Sequence, residues 1–260
     1  MSGAYLAFQN ISKSFGAIRA VDDVSFDVAH GEVRALLGEN GAGKSTLIRI
    51  LAGTMAADAG SIALAGTKRG FASPLEALNA GIVTIYQEFN LVPQLTVAEN
   101  IFLGALPTHA GWIDRADIRR RARSILERIG AGFSPDIRVG DLNVAAQQMV
   151  EIAKALSRDV KVLLMDEPTA ALNDAEIASL FAVIRQLRAD GVTILYVSHR
   201  MAEIFAVCDS VTVLKDGRHV ATEPIEGATS ESLVRMMIGR PLGEFYPPKA
   251  AAFGAPLLEV

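Results

Sequence analysis

A glycine-rich stretch at residues 38–46 constrains the fold of this 260-residue chain more than any other part of its sequence. It has the sequence G-E-N-G-A-G-K-S-T and lies between an apolar run at 33–37 and an amphipathic run at 47–51. This order predicts a strand, a loop and a helix. Because glycine has no Cβ, the backbone N–H groups of such a loop can turn inward around an anion. The first turn of the helix adds unpaired N–H groups and the positive end of its dipole.

Two side chains at the start of the predicted helix complete this anion site. In the spacing G-x-x-x-x-G-K-[ST], Lys44 can reach the β- and γ-phosphates of a nucleoside triphosphate, and the hydroxyl of Ser45 can bind Mg²⁺. The alternative is a glycine turn before a helix that carries an incidental lysine, and the flanking strand and helix argue against it. The residues predicted to bind the nucleotide are Gly38, Glu39, Asn40, Gly41, Ala42, Gly43, Lys44, Ser45 and Thr46.

Composition narrows the class of protein. Hydrophobic residues make up 50% of the chain and charged residues 21%, which is typical of a globular protein. The formal net charge of −4 argues against a protein that neutralises a nucleic-acid backbone, so no nucleic-acid partner is expected. No run approaches the ~20 apolar residues of a membrane-spanning helix, so we expect any membrane association to go through another protein. Cys208 is the single cysteine; it excludes an internal disulfide and is interpreted as a buried small hydrophobe.

Periodicity and turn residues predict an alternation of strands and helices with one helical interruption. A hairpin is predicted around Asp216 and Gly217, and a capping box at Thr96 and Glu99. From about 88 to 159 the pattern is helical, which predicts an inserted helical subdomain. Strands are predicted at 6–8, 18–21, 24–28, 60–66, 82–86, 160–165, 192–197, 211–214 and 219–221. Helices are predicted from Pro74, and at 114–129, 144–156, 175–189 and 230–238. In the helix at 144–156, an apolar stripe is predicted from Val144, Met149, Ile152, Ala153 and Leu156.

Polar residues that could bind a metal or take part in catalysis follow three of the predicted strands. Asp166 and Glu167 follow the run at 160–165. In a parallel sheet Asp166 would lie beside the glycine loop and hold Mg²⁺, and Glu167 would act as general base or orient the attacking water. The alternative is a helix-capping aspartate and a surface glutamate. His199 ends the next strand and can contact the γ-phosphate or orient the water, whereas Gln87 is either a metal or water ligand or a solvated edge residue.

Phe15 is a large apolar residue in an otherwise polar turn. It either folds back onto the core or stacks on a flat ring such as a purine. The sequence favours neither.

Together, these residues resemble the ATP-binding cassette family over essentially the whole chain. The resemblance implies an α/β fold: a P-loop NTPase, RecA-like core with an N-terminal antiparallel β subdomain and the inserted helical subdomain, all within a domain at 1–240. It implies ATP and Mg²⁺ as ligands, with Ser45, Gln87 and Asp166 at the metal. The segments 38–45 and 162–166 correspond to the Walker A and Walker B motifs. The resemblance further implies roles for Glu167 (catalytic glutamate), Gln87 (Q-loop), His199 (switch histidine), Phe15 (adenine-stacking aromatic) and Asn173 with Asp174 (D-loop).

The family's signature sequence is the main departure. The family has L-S-G-G-Q, where this chain has Leu142, Asn143, Val144, Ala145 and Ala146. In the family this segment of one cassette closes over the γ-phosphate that a second cassette holds. The Cβ atoms of Val144 and Ala145 occupy positions where glycine allows close approach. We therefore expect a cassette that holds ATP well and activates its partner poorly.

The segments 147–156 and 198–205 resemble, more narrowly, the ATPases of monosaccharide importers of the ribose, xylose and galactose type. Those proteins usually carry two cassettes in one polypeptide, and 241–260 resembles a linker and the start of a second cassette. The resemblance implies the N-terminal half of an ATPase that powers monosaccharide uptake. Its implied partners are the second cassette, transmembrane permease subunits and, indirectly, a periplasmic sugar-binding protein, with the chain peripheral on the cytoplasmic face of the inner membrane. A short permease helix would dock near Phe89, Leu91, Val92 and Leu95.

Two other functions stay open. One is a soluble ABC-type, ATP-dependent switch that acts on ribosomes or DNA, against which the sequence shows neither a long coiled coil nor a basic patch. The other is a nucleotide-binding module without turnover, against which Glu167 and His199 argue.

Overall fold

The computed structural model describes residues 4–109 and 112–238. The predicted linker and second-cassette start at 241–260 lie outside these residues. The strands are β1 (Leu6–Phe15), β2 (Ile18–Val28), β3 (Val33–Leu37), β4 (Ala59–Leu64), β5 (Thr67–Arg69), β6 (Ile82–Ile85), β7 (Thr108–His109), β8 (Trp112–Ile113), β9 (Val162–Asp166), β10 (Thr193–Val197), β11 (Ser210–Lys215) and β12 (Arg218–Pro224). The helices are α1 (Lys44–Leu51), α2 (Pro74–Asn79), α3 (Val97–Ile101), α4 (Arg115–Arg128), α5 (Val144–Leu156), α6 (Asp174–Ala189), α7 (Met201–Val207) and α8 (Ser230–Ile238), with short 3₁₀ turns at Val139–Asp141 and Ile225–Gly227.

The central sheet has six strands in the order β12-β11-β3-β10-β9-β6. Strand β12 is antiparallel to β11, and the other neighbours pair in parallel. Every residue of β3 and β10 is buried, because both faces of the sheet are covered. Val197 lies opposite both Leu36 and Asp166, so the loops that follow β3, β9 and β10 meet at one edge.

The core lies on both sides of this sheet, which explains the continuous apolar runs in the sequence. Along β10, Ile194 and Tyr196 pack in one hydrophobic cluster, whereas Leu195 and Val197 pack in the other. Cys208 is buried in the first cluster, as predicted, and burial raises the pKa of its thiol.

A second sheet is antiparallel throughout, with four strands in the order β2-β1-β4-β5. The two strands predicted at 18–21 and 24–28 are one strand, β2, and this prediction was wrong. Strand β2 stays paired with β1 across an irregularity in register, where Asp23 has φ 56°. The strand predicted at 6–8 likewise extends to Phe15, because its backbone pairs with both β2 and β4.

Helices α3, α4 and α5 lie between β6 and β9 in the chain, together with the two-residue strands β7 and β8, and pack on one another. The capping box at the start of α3 is confirmed. The Glu99 N–H donates to Thr96 Oγ1 at 3.2 Å, and the Thr96 N–H donates to Glu99 Oε2 at 3.0 Å. The subdomain boundaries of 88–159 and the domain boundaries of 1–240 stay predictions.

The predicted apolar stripe of α5 needs one correction. Val144 is 41% exposed, because the start of α5 faces solvent, while Gln148 and Glu151 are buried further along. Within the residues described here, no helix is both long and apolar enough to span a bilayer.

Candidate functional site

The loop between β3 and α1 is held in its shape by two close backbone approaches. A Cβ on Gly43 would lie 2.6 Å from the Ala20 carbonyl oxygen, and Gly43 has φ 99°. A Cβ on Gly38 would lie 2.4 Å from the Leu214 carbonyl oxygen. Only glycine fits at these positions, so the loop sits tightly between β2 and β11 and presents its backbone at the start of α1.

The Lys44 ammonium group lies over this loop. Its Nζ donates to the Gly38 carbonyl at 2.7 Å and to the Glu39 carbonyl at 3.0 Å. Burial lowers the pKa of Lys44, and the negative charges of Glu167 and Asp166 oppose that shift. A half-buried positive charge is therefore aimed into the loop, where a phosphate group would pair with it.

An open cavity of about 670 Å³ extends over the loop. It is lined by Asp166, Glu167 and six of the nine predicted loop residues, which are Asn40, Gly41, Gly43, Lys44, Ser45 and Thr46. Gly38, Glu39 and Ala42 are not among the described lining residues. Sequence reasoning missed five further lining residues: Ile18, Arg19, Ala20, Val197 and Asp216.

The hairpin turn between β11 and β12 brings Asp216 to this cavity. The predicted two-residue turn is confirmed, with φ 49° at Asp216 and 78° at Gly217. The Asp22 N–H donates to the Gly217 carbonyl at 2.8 Å and holds the turn against β2. The sequence predicts the turn but not its contact with β2, because β11 and β2 belong to different sheets.

Asp166 ends β9 and lies at the border of the cavity. Burial raises its pKa, and the negative charge of Glu167 adds to that shift, whereas Lys44 and Arg49 oppose it. A half-buried carboxylate with its pKa raised in this way is well placed to gain from a cation.

Glu167 has a strained backbone. Its φ is 48°, which is uncommon for a residue other than glycine, and its N–H donates to the Val197 carbonyl of β10 at 2.9 Å. Such strain persists only where surrounding structure holds it, and it is concentrated at functional sites.

His199 meets Glu167 directly. Its Nδ1 lies 3.1 Å from Glu167 Oε1, 69% of its side chain is exposed, and it is not among the described residues that line the cavity. A carboxylate without a proton only accepts hydrogen bonds, so a hydrogen bond from His199 to it requires the proton on Nδ1. The structure therefore brings together two residues that the sequence placed at the ends of different strands.

The sequence of this chain also matches a known protein family. Residues 21–170, more than half of the chain, match the family model described as "ABC transporter". The chain belongs to the ABC transporter family.

Relatives and solved structures agree with this assignment. The chain is 51% identical over 256 residues to the ribose import ATP-binding protein RbsA of Chromobacterium violaceum, covering 98% of this chain and 51% of that protein. It is 50% identical over 243 residues to the arabinose import ATP-binding protein AraG of Yersinia pestis, covering 93% of this chain and 46% of that protein. The chain thus spans about half the length of these relatives.

Two solved cassettes share the fold. An ATP-binding cassette of an ABC transporter in its ADP conformation has a TM-score of 0.80 at 29% identity, covering 92% of this chain and 100% of that one. A nucleotide-free ATP-binding cassette from an ABC transporter has a TM-score of 0.79 at 28% identity, covering 92% of this chain and 96% of that one. The predicted α/β cassette fold is confirmed.

Neither Gln87 nor Phe15 is among the described residues that line the cavity of this ABC cassette. Gln87 is exposed two residues after β6, whose Ile85 pairs with Met165 of β9, so it reaches the same sheet edge. Phe15 ends β1 and is 46% exposed, which excludes the alternative that it folds onto the core. Its role at adenine stays a prediction.

The signature and D-loop segments of the ABC cassette both begin helices. Asn143 caps α5, with its Oδ1 accepting the Ala146 N–H at 2.8 Å. Asn173 caps α6 in the same way, with its Oδ1 accepting the Glu176 N–H at 3.1 Å, and Asp174 follows it, exposed. None of these residues lines the described cavity. Their predicted contacts with a second cassette therefore stay predictions.

Proposed function

We propose that this chain is the N-terminal cassette of an ATPase that powers monosaccharide uptake through an ABC importer. The observation that carries the proposal is the contact between His199 and Glu167 beside a glycine loop fitted to phosphate groups. The names of the relatives, which are ribose and arabinose import proteins, support sugar as the cargo.

The cavity residues divide the binding of ATP between them. Loop N–H groups and Lys44 would bind the phosphates, because they supply donors and a positive charge. Ser45 and Asp166 line the same cavity and offer the hard oxygen ligands that Mg²⁺ prefers, and Gln87 would add a third from the sheet edge. Bound Mg²⁺ would neutralise charge on the β- and γ-phosphates.

Glu167 would orient the attacking water and accept its proton. The Nδ1–H of His199 holds one carboxylate oxygen, Oε1, so the orientation of the Glu167 side chain is fixed before water arrives. The left-handed backbone of Glu167 directs the side chain from the end of β9 toward the cavity.

Hydrolysis would require a second cassette. The altered signature at Val144 and Ala145 supports an asymmetric pair, in which this cassette holds ATP and the other supplies the competent signature. The chain's span of about half of its relatives supports two cassettes in one protein. Transmembrane permease subunits would dock at the partly buried Phe89 and Leu91 on the cytoplasmic face of the inner membrane, with a periplasmic sugar-binding protein as indirect partner.

The test of this proposal is Glu167→Gln in the full-length ATPase assembled with its permease. We expect Mg-ATP affinity to stay within about twofold and hydrolysis to fall by about 10²–10⁴, the usual contribution of a general base. Glu127→Gln, on the exposed face of α4, is the matched control and should hydrolyse normally. Hydrolysis that survives Glu167→Gln would contradict the role of this residue.

The cargo requires a separate assay. Uptake of a panel of radiolabelled monosaccharides, beginning with ribose and arabinose, is measured in cells that express the wild-type or Glu167→Gln importer. We expect uptake of at least one sugar that the variant abolishes. ATP hydrolysis without uptake of any monosaccharide would refute sugar import and leave the ATPase proposal standing.

A further inference from the structure

A buried glutamate outside the cavity connects the two catalytic loops. Glu203 lies in the first turn of α7 and is 4% exposed. A carboxylate buried to this degree is costly unless its oxygens are hydrogen-bonded. Glu203 is not among the described residues that line the cavity over the glycine loop, so it does not touch a bound nucleotide there.

Both carboxylate oxygens of Glu203 are occupied by donors. Oε1 accepts from Thr169 Oγ1 at 2.7 Å and from Arg200 Nη1 at 3.4 Å. Oε2 accepts from Ser198 Oγ at 2.7 Å and from the Tyr196 hydroxyl at 2.9 Å. Ser198 Oγ in turn accepts the Arg200 N–H at 3.0 Å, which closes the loop after β10 on itself.

These donors stand next to the two catalytic residues. Thr169 follows Glu167 by two positions, and Ser198 immediately precedes His199. One buried carboxylate therefore ties the loop after β9 to the loop after β10. The 3.1 Å contact between His199 and Glu167 spans the same two loops on their exposed side.

The strained backbone of Glu167 points to the same arrangement. A residue other than glycine keeps a φ of 48° only where its neighbours on both sides are held. The Glu167 N–H is held by the Val197 carbonyl, and on the other side Thr169 is held by Glu203.

We propose that Glu203 is a positioning residue that fixes Glu167 and His199 relative to one another for hydrolysis. This inference rests on the proposed ATPase function. Without Glu203, the hydroxyls of Thr169, Ser198 and Tyr196 lose their common acceptor and the two loops are free to shift independently. Nucleotide binding depends on the glycine loop and Lys44 instead, so it stays intact.

The kinetic test uses Glu203→Ala and Glu203→Gln in the full-length ATPase assembled with its permease. For Glu203→Ala we expect kcat to fall at least tenfold while KM for ATP changes less than threefold. Glu203→Gln preserves volume and still offers one acceptor oxygen, so it should recover part of the loss. Glu231→Gln, in the exposed first turn of α8, is the control and should behave as wild type.

The second readout is the ¹⁵N spectrum of the His199 imidazole in the 260-residue chain, which reports which ring nitrogen carries the proton. We expect Nδ1–H in the wild type and a shift toward the Nε2–H tautomer in Glu203→Ala, with Glu203→Gln in between. This measurement does not require turnover. Failure of the ATPase proposal would therefore show as an inactive wild type whose His199 still responds to Glu203.

Two results would overturn the inference. One is a folded Glu203→Ala protein with wild-type kcat and an unchanged His199 spectrum. The other is a loss of Mg-ATP binding in parallel with kcat in both Glu203 variants, because that would show a general role in the fold.

Discussion

The charge of Lys44 offers the sharpest test of the glycine loop as a phosphate site. In the structure its ammonium group donates to the Gly38 and Glu39 carbonyls at 2.7 and 3.0 Å, so it is already positioned above the loop. Lys44→Met keeps most of the length and apolar stem of the side chain and removes the charge. The variant therefore changes the electrostatics of the site with little change in packing.

The expected loss follows from two opposing terms. A unit charge about 4 Å from a phosphate charge is worth about 4 kcal/mol at the effective dielectric constant of roughly 20 near a protein surface. To bind phosphate, the ammonium group gives up one of its two charged hydrogen bonds to the loop carbonyls, which costs about 1.5–3 kcal/mol. The net loss in Lys44→Met is then about 1–2.5 kcal/mol, or roughly 5- to 60-fold weaker binding of Mg-ATP.

Isothermal titration calorimetry of the purified chain measures this loss. The loss should be largest for ATP, smaller for ADP and absent for AMP, because Lys44 is assigned to the β- and γ-phosphates. Lys68→Met, on the exposed strand β5, is the matched control, and circular dichroism checks that both variants fold. If folded Lys44→Met bound Mg-ATP as tightly as the wild type, the reasoning from the loop geometry would be wrong.

Two pH-dependent predictions follow from buried carboxyl groups. Burial and the negative charge of Glu167 raise the pKa of Asp166. The gain in ATP affinity that Mg²⁺ provides should therefore weaken as pH falls, and this should begin at a higher pH than for an ordinary aspartate. Calorimetry with and without Mg²⁺ measures this gain, and Asp166→Asn should show no such pH dependence. Burial raises the folded-state pKa of Glu151 above its usual 4.5, so the folded state binds this proton more tightly than the unfolded state. The contribution of Glu151 to stability therefore declines as pH rises from 4.5 toward the folded-state pKa. Urea unfolding at several pH values measures the free energy of unfolding, and Glu151→Gln should remove this decline. If the difference in that free energy between variant and wild type did not change with pH, the prediction would be wrong.

Much of the site could be predicted because it depends on residues that are close in the chain. The apolar and amphipathic runs on either side of the loop at 38–46 predicted it. A spacing of three residues predicted the capping box at Thr96. The hairpin at Asp216 followed from turn chemistry. The rule that parallel strands end on one side of a sheet predicted that Asp166 and His199 share an edge. The rule did not predict which residues of other strands lie beside them.

Other features could not be predicted, because the same local sequence pattern fits more than one structure. Val144 matched the apolar periodicity of α5, yet the start of the helix faces solvent. The segments at 18–21 and 24–28 carried the pattern of two strands, and pairing with β1 made them one. In both cases a contact with a distant segment, or its absence at that position, outweighed the local preference.

The sequence by itself determined the glycine loop, the polar residues at the ends of β9 and β10 and the family to which they point, because each depends on spacings of a few residues. The tertiary structure decided what surrounds them. Ala20, in the second sheet, lies against Gly43 of the glycine loop. Glu203 joins Thr169 to Ser198 because β9 and β10 are neighbours in the non-sequential order β12-β11-β3-β10-β9-β6. That order results from burying both faces of the sheet at once, which is a property of the whole chain and of no single stretch of it.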